Sequence, residues 1–77
     1  MSRALGAREA TDLVLRHLRV PPAEVVVVKA LLEAHEGLGA LFAEQGGDIT
    51  LATTPSQEAA LDAFVDDLRH VVRLGPA

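Results

Sequence analysis

The chain has no cysteine, which excludes a disulfide scaffold, a thiolate zinc site and a cysteine nucleophile. Tryptophan and tyrosine are also absent, and Phe42 and Phe64 are the only aromatic residues. Stacking platforms for nucleic-acid bases are therefore lacking. Positive charge is scarce: seven Lys and Arg stand against eleven Asp and Glu, a formal net charge of −4. So acidic a chain is poorly equipped to neutralise phosphates, and nucleic acid is not an expected partner. No apolar run approaches the roughly 20 residues needed to span a bilayer. The opening Met1-Ser2-Arg3-Ala4-Leu5 has no signal-peptide core. A soluble, cytoplasmic protein with no membrane partner is the expectation.

What is present is one domain's worth of chain, 77 residues of which 49% are hydrophobic, with no low-complexity tract. That composition is too apolar for a disordered segment. At this size the gain from burying apolar surface nearly cancels the cost of ordering the chain. Pairing with a second copy or another protein would offset the deficit. Charge is uneven: residues 1–20 carry four arginines against Glu9 and Asp12, and the remainder carries three bases against nine acids. Such polarity reads first as a solvated surface and second as steering between copies.

Residues 1–10 mix alanine, arginine and glycine without a periodic face and read as a flexible N-terminal arm. A single α+β domain is expected over 11–75. From Leu13 the chain reads as a strand stopped by Pro21-Pro22. Val14, Arg16, Leu18 and Val20 fall on one side of it, and Leu13, Leu15, His17 and Arg19 on the other. Val25 to Val28 are β-branched and argue against a helix. The wider pattern overrides them: Val27, Val28, Ala30, Leu31, Leu32, Ala34 and His35 form one face opposite Lys29, Glu33 and Glu36. The spacing predicts a helix over 22–36 capped by Gly37.

Leu38 to Glu44 reads as a second strand, Gln45-Gly46-Gly47 as a hairpin turn and Asp48 to Thr53 as a third strand. Thr54-Pro55-Ser56-Gln57 then offers an N-cap, a first-turn proline and a capping-box glutamine. Leu61, Phe64, Val65, Leu68, Val71 and Val72 follow at helical spacing, and Gly75-Pro76 is expected to close that helix. The order strand, helix, strand, strand, helix suits a ferredoxin-like half-sandwich, a three-stranded sheet with two helices on one face. A fourth strand is missing from this reading, so the first strand, Leu13 to Val20, is expected to be an unprotected edge. The uncovered sheet face is expected to draw on Leu13/Leu15/His17, Gly39/Leu41/Ala43 and Thr50/Ala52, a mostly small or apolar set that suits an interface.

Leu18-Arg19-Val20-Pro21-Pro22-Ala23-Glu24, then Glu36-Gly37-Leu38, then Thr54-Pro55, resemble a short bacterial domain family of unknown function. The resemblance covers about 13–72, and its motifs are mostly structural. It implies a fold similar to ACT and ferredoxin-like domains, which often pair through their sheets and sense small ligands. ACT ligand loops usually carry glycine where this chain has Pro21-Pro22.

Candidate chemistry is sparse. His35 reads as a core or boundary histidine, and His70 as a helix-end surface residue. His17 among Arg16 and Arg19 reads as surface or interface, with an anion site as the sharper alternative. No His-x-x-x-His pair exists, and His35 and Glu36 diverge on a helix, so no metal or other cofactor is expected. Ser56, Thr53 and Thr54 are accounted for by capping, and Gly37-Leu38-Gly39 opens a strand rather than a helix, the reverse of a phosphate loop. No catalytic constellation emerges, and the chain is not expected to be an enzyme. The expected function is a self-associating interaction or regulatory module, most simply a homodimer, with another protein as a second kind of partner. Its interface would involve Leu13, Leu15, His17, Arg19 and Leu41. The alternative is an ACT-like small-ligand sensor with a pocket at Pro21, Pro22, Gly37, Thr53 and Thr54.

Overall fold

Strict alternation along the first strand divides the protein into a covered side and a bare side. A computed structural model describes residues 12–76, so the expected arm at 1–10 lies outside the described residues. Strand β1, Val14–Arg19, turns Val14, Arg16 and Leu18 toward the interior, while Leu15, His17 and Arg19 are exposed. This is the division that its sequence predicts. Pro21 and Pro22 end the strand and start a single 3-10 turn, Pro22–Glu24, in which the Glu24 N–H donates to the Pro21 carbonyl at 2.7 Å.

Helix α1 follows over Val25–Ala34, two residues shorter than the spacing predicts at its C-terminal end. Val28 and Leu32, one turn apart, are fully buried, and Val25, Val27 and Leu31 pack beside them. The buried stripe is narrower than expected. Ala30 and Ala34 are exposed, since small side chains at its margin do not reach the sheet. Gly37 does not cap the helix as expected, since His35 is the C-cap; with φ +79° it instead turns the chain where the Leu38 N–H donates to the His35 carbonyl at 2.9 Å.

Strand β2 is Ala40–Ala43, and β3 is Asp48–Thr53, the latter with its expected limits. The turn between them, Gln45–Gly47, uses positive φ at Gly46 and Gly47, +65° and +89°, as the glycine pair predicts. Gly47 has a second reason to be glycine. A Cβ there would lie 1.9 Å from the Val20 carbonyl oxygen, at the point where the Val20 N–H donates to the Gly47 carbonyl at 2.9 Å.

Helix α2, Glu58–Leu68, follows a 3-10 turn over Pro55–Gln57. Leu61, Phe64, Val65 and Leu68 are buried as their spacing predicts. The expected capping box does not form: no side chain caps the turn, and Gln57 Nε2 donates instead to the Gly37 carbonyl at 3.3 Å, joining α2 to the end of α1. The helix also ends at Leu68, well short of the Gly75-Pro76 stop expected for it. The Val71 and Val72 N–H groups both donate to the Leu68 carbonyl, at 2.9 and 2.8 Å, and the resulting turn buries Val72 while leaving Val71 exposed. Gly75-Pro76 is therefore not a helix terminator. It forms a two-residue strand, β4 (Gly75–Pro76), beside β1.

The sheet is antiparallel throughout, in the order β2-β3-β1-β4. Three strands of four to six residues carry it, and β4 is a short addition. The expectation that β1 is a bare edge is corrected only at its Leu18–Arg19 end. β3 pairs with it from Val14↔Thr53 to Arg19↔Asp48, and β4 covers Leu18 and Arg19 on its other side. Among the described residues, only the Val14–His17 part of that outer side lacks a partner strand. Both helices contribute to a single core with Val20, Ile49 and Leu51 from one sheet face, so they roof the same side.

Candidate functional site

Among the described residues, nothing roofs the opposite sheet face. Register places Leu15 opposite Ala52 and Ala52 opposite Ala40 in one row, and His17, Thr50 and Phe42 in the next. Leu15 is 47% and Phe42 56% exposed, and Leu13 extends the same apolar strip at 43%. Water lies against large apolar side chains here at a free-energy cost that burial would remove. His17 Nδ1 and Thr50 Oγ1 share a 2.8 Å hydrogen bond across the strands. At one end Arg19 Nε sits 2.9 Å from Asp48 Oδ1, a pair of opposite charges at the border of the patch.

Of the residues expected at an interface, Leu13, Leu15, His17 and Arg19 lie on or beside this face. Leu41 does not: it pairs with Leu51 and packs against the core. Gly39/Leu41/Ala43 is therefore replaced by Ala40 and Phe42. In β2 each alternating set holds one large apolar residue, so alternation cannot choose between them and pairing with β3 decides.

Arg16 and His17 cannot form the anion site considered for them, because adjacent strand residues face opposite ways. Arg16 lies on the roofed side, where Nε donates to Asp62 Oδ1 at 2.9 Å and Nη2 to Glu58 Oε2 at 2.7 Å. These hydrogen bonds, first to Asp62 and then to Glu58, raise the Arg16 pKa. The Arg16 hydrogen bond in turn holds the Asp62 carboxyl below its ordinary value, outweighing a smaller opposing effect of desolvation. The cluster locks a strand to a helix and leaves no donor aimed at a substrate.

The predicted ligand pocket separates into two places. Thr53 lies at the Val14 end of the β1–β3 ladder and Pro21 follows its Arg19 end. Gly37, Thr53 and Thr54 gather at the first end, where their polar groups serve the chain itself. Thr53 Oγ1 donates to the Leu38 carbonyl, and Thr54 Oγ1 lies 3.1 Å from Ser56 Oγ. Pro21 and Pro22 line a hollow of about 310 Å³ at the second end, faced by Arg73, Leu74 and Gly75. Those three residues were missed because the sequence reads there as the tail of a helix. The signal that could have found them is Gly75-Pro76, a pair as suited to an edge strand as to a helix stop.

His35 is exposed rather than part of the core face, and its ring meets Phe64 edge-on at 5.3 Å between centroids. His70 is exposed in the turn after α2, as expected. Among the described residues no three His, Asp or Glu side chains converge as a metal site, and no helix is long and apolar enough to cross a membrane.

No curated protein and no solved structure matches this chain. Residues 18–72 match a family model described as "Domain of unknown function (DUF4911)", a span that starts within β1 and ends just after α2. It contains both helices, the β2–β3 hairpin and the end of β1 that is paired on both sides. The match covers well over half of the sequence, and the chain belongs to that family.

Proposed function

We propose that this protein is a non-enzymatic, self-associating module of ferredoxin-like architecture. In support of the fold name stand the antiparallel order β2-β3-β1-β4 and the shared roof of two helices on one face. One observation carries the functional reading: Leu15 and Phe42, both about half exposed, flank Ala40 and Ala52 on a sheet face that no element among the described residues covers. The proposed occupant is a second copy. Arg19 and Asp48 sit side by side at the border, and a twofold axis passing between them would set each beside the opposite charge of the second copy. A second apolar face of equal extent removes the exposed leucines and phenylalanine from water on both sides at once.

Sedimentation velocity at micromolar concentration tests the proposal. A dimer that becomes a monomer in Leu15→Glu, with the circular dichroism unchanged, is the expected result. A wild-type monomer under those conditions refutes it.

The small-ligand reading has its own support in the hollow beside Pro21-Pro22. It is relocated by the separation of Gly37, Thr53 and Thr54 to the other end of the sheet.

A further inference from the structure

We infer that the hollow between Pro21-Pro22 and the Arg73–Gly75 segment is a binding site for a small organic anion with an apolar body. Its volume of about 310 Å³ falls at the small end of the range for ligand sites. Val20, the two prolines and Leu74 form an apolar wall, and proline rings are rigid enough to hold it in shape. Arg19 and Arg73 both line it. On the far side of Leu74–Gly75 a second depression of about 230 Å³ is lined by Leu18 and Arg69. Three arginines therefore line the two depressions that share Leu74 and Gly75.

The two flanking arginines have carboxylates at hand: Asp48 lies 2.9 Å from Arg19 and Asp66 lies 3.6 Å from Arg69. Arg73 has none within ion-pairing distance among the described residues. Its planar fork is thus available, and a guanidinium takes a carboxylate or phosphate oxygen pair in a bidentate manner. The apolar wall supplies what a bare inorganic ion does not use. The chemistry that fits both parts is an oxyanion head on a hydrocarbon or aromatic body. The site is built within one chain and shares only Arg19 with the proposed dimer border, so sedimentation of Leu15→Glu and ligand binding by Arg73 variants report on the two proposals separately.

The test is a titration of the nitrogen-15-labelled chain at constant ionic strength, followed by amide chemical shifts. The probes are phenylacetate, phenyl phosphate and inorganic phosphate. Saturable shifts at the Val20, Gly46 and Leu74 amides with at least one phenyl-bearing probe, half-maximal below about 10 mM, are expected. Whichever of the two saturates first identifies the head group as carboxylate or phosphate. Inorganic phosphate is expected to bind about tenfold more weakly, Arg73→Gln to lose about fivefold in affinity, and Arg73→Lys to keep most of it. Arg73 is exposed, so neither variant should unfold the chain. The inference is overturned if neither phenyl-bearing probe saturates, if inorganic phosphate binds as well as they do, or if Arg73→Gln binds as the wild type does.

Discussion

Arg16 is a cation on the core-facing side of a strand, and its position is resolved by its two acidic partners rather than by burial. The sequence shows Arg16 among Val14, Leu18 and Val20 without showing what neutralises it. Glu58 and Asp62, one helical turn apart and more than forty residues along the chain, supply the answer only when α2 is packed. Because the folded protein holds Asp62 below its ordinary pKa, the unfolded state binds its proton first as the pH falls. The stabilisation from this pair is complete above the unfolded value of about 3.9 and is lost as the pH drops through the lower folded value. Denaturant midpoints measured between neutral and acid pH should therefore fall more steeply in the wild type than in Asp62→Asn. Equal slopes would show that the pair is unlinked to folding.

Gly47 is a second residue whose identity its surroundings dictate. Substitution to alanine meets both the positive φ and the Val20 carbonyl, whereas at Gly46 a Cβ meets open space. Gly47→Ala should cost more than about 2 kcal/mol, and Gly46→Ala about 1 kcal/mol, in urea unfolding. The sequence distinguishes neither glycine from the other; both read simply as turn formers.

At the scale of elements, helix α1 begins with four valines, and their environments differ sharply. Val28 is fully buried, while Val26 is 69% exposed. Val28→Ala should destabilise the fold by about 2 kcal/mol through lost burial and a cavity. Val26→Ala should stabilise it by about 0.5 kcal/mol, because alanine is the better helix former where nothing packs. Thermal or urea unfolding of the two variants checks the orientation of the helix, and a reversed order of effects would show that its stripe is misassigned.

Elements with a strong period were legible: α2 from Leu61, Phe64, Val65 and Leu68, and β3 from its neighbouring turn. Ends were not. Val71 and Val72 continue the helical pattern, yet the chain turns after Leu68, and a local pattern contains nothing about where Leu74 finds the core. The face presented by β2 was equally hidden, since Leu41 and Phe42 compete on equal terms until β3 sets the register. The candidate interface was therefore half readable, from β1 and β3, and the hollow was readable only on its proline side.

For the molecule as a whole, the balance lies between a core roofed on one side and an apolar sheet face left in water. Phe42→Glu should act as Leu15→Glu does, shifting a dimer toward monomer in sedimentation by at least about tenfold in dissociation constant. Lys29→Glu, on the exposed side of α1, should leave the association unchanged. Equal behaviour of all three variants would show that the bare face is not where copies meet.

The strand pairing also imposes a timetable on synthesis. β1 leaves the ribosome early, but the strand that zips along its whole length, β3, comes only after a helix and half a hairpin have been made. Until Thr53 emerges, Leu15 and Leu18 lack their full native ladder, and the nascent chain carries them beside Arg16 and Arg19 as an incompletely paired apolar and cationic strand. Topologies with such distant partners fold more slowly than their length alone suggests. Arrested nascent chains ending before Thr53 should accordingly be cut by a protease at Arg16 or Arg19, and chains long enough to expose Leu68 should resist.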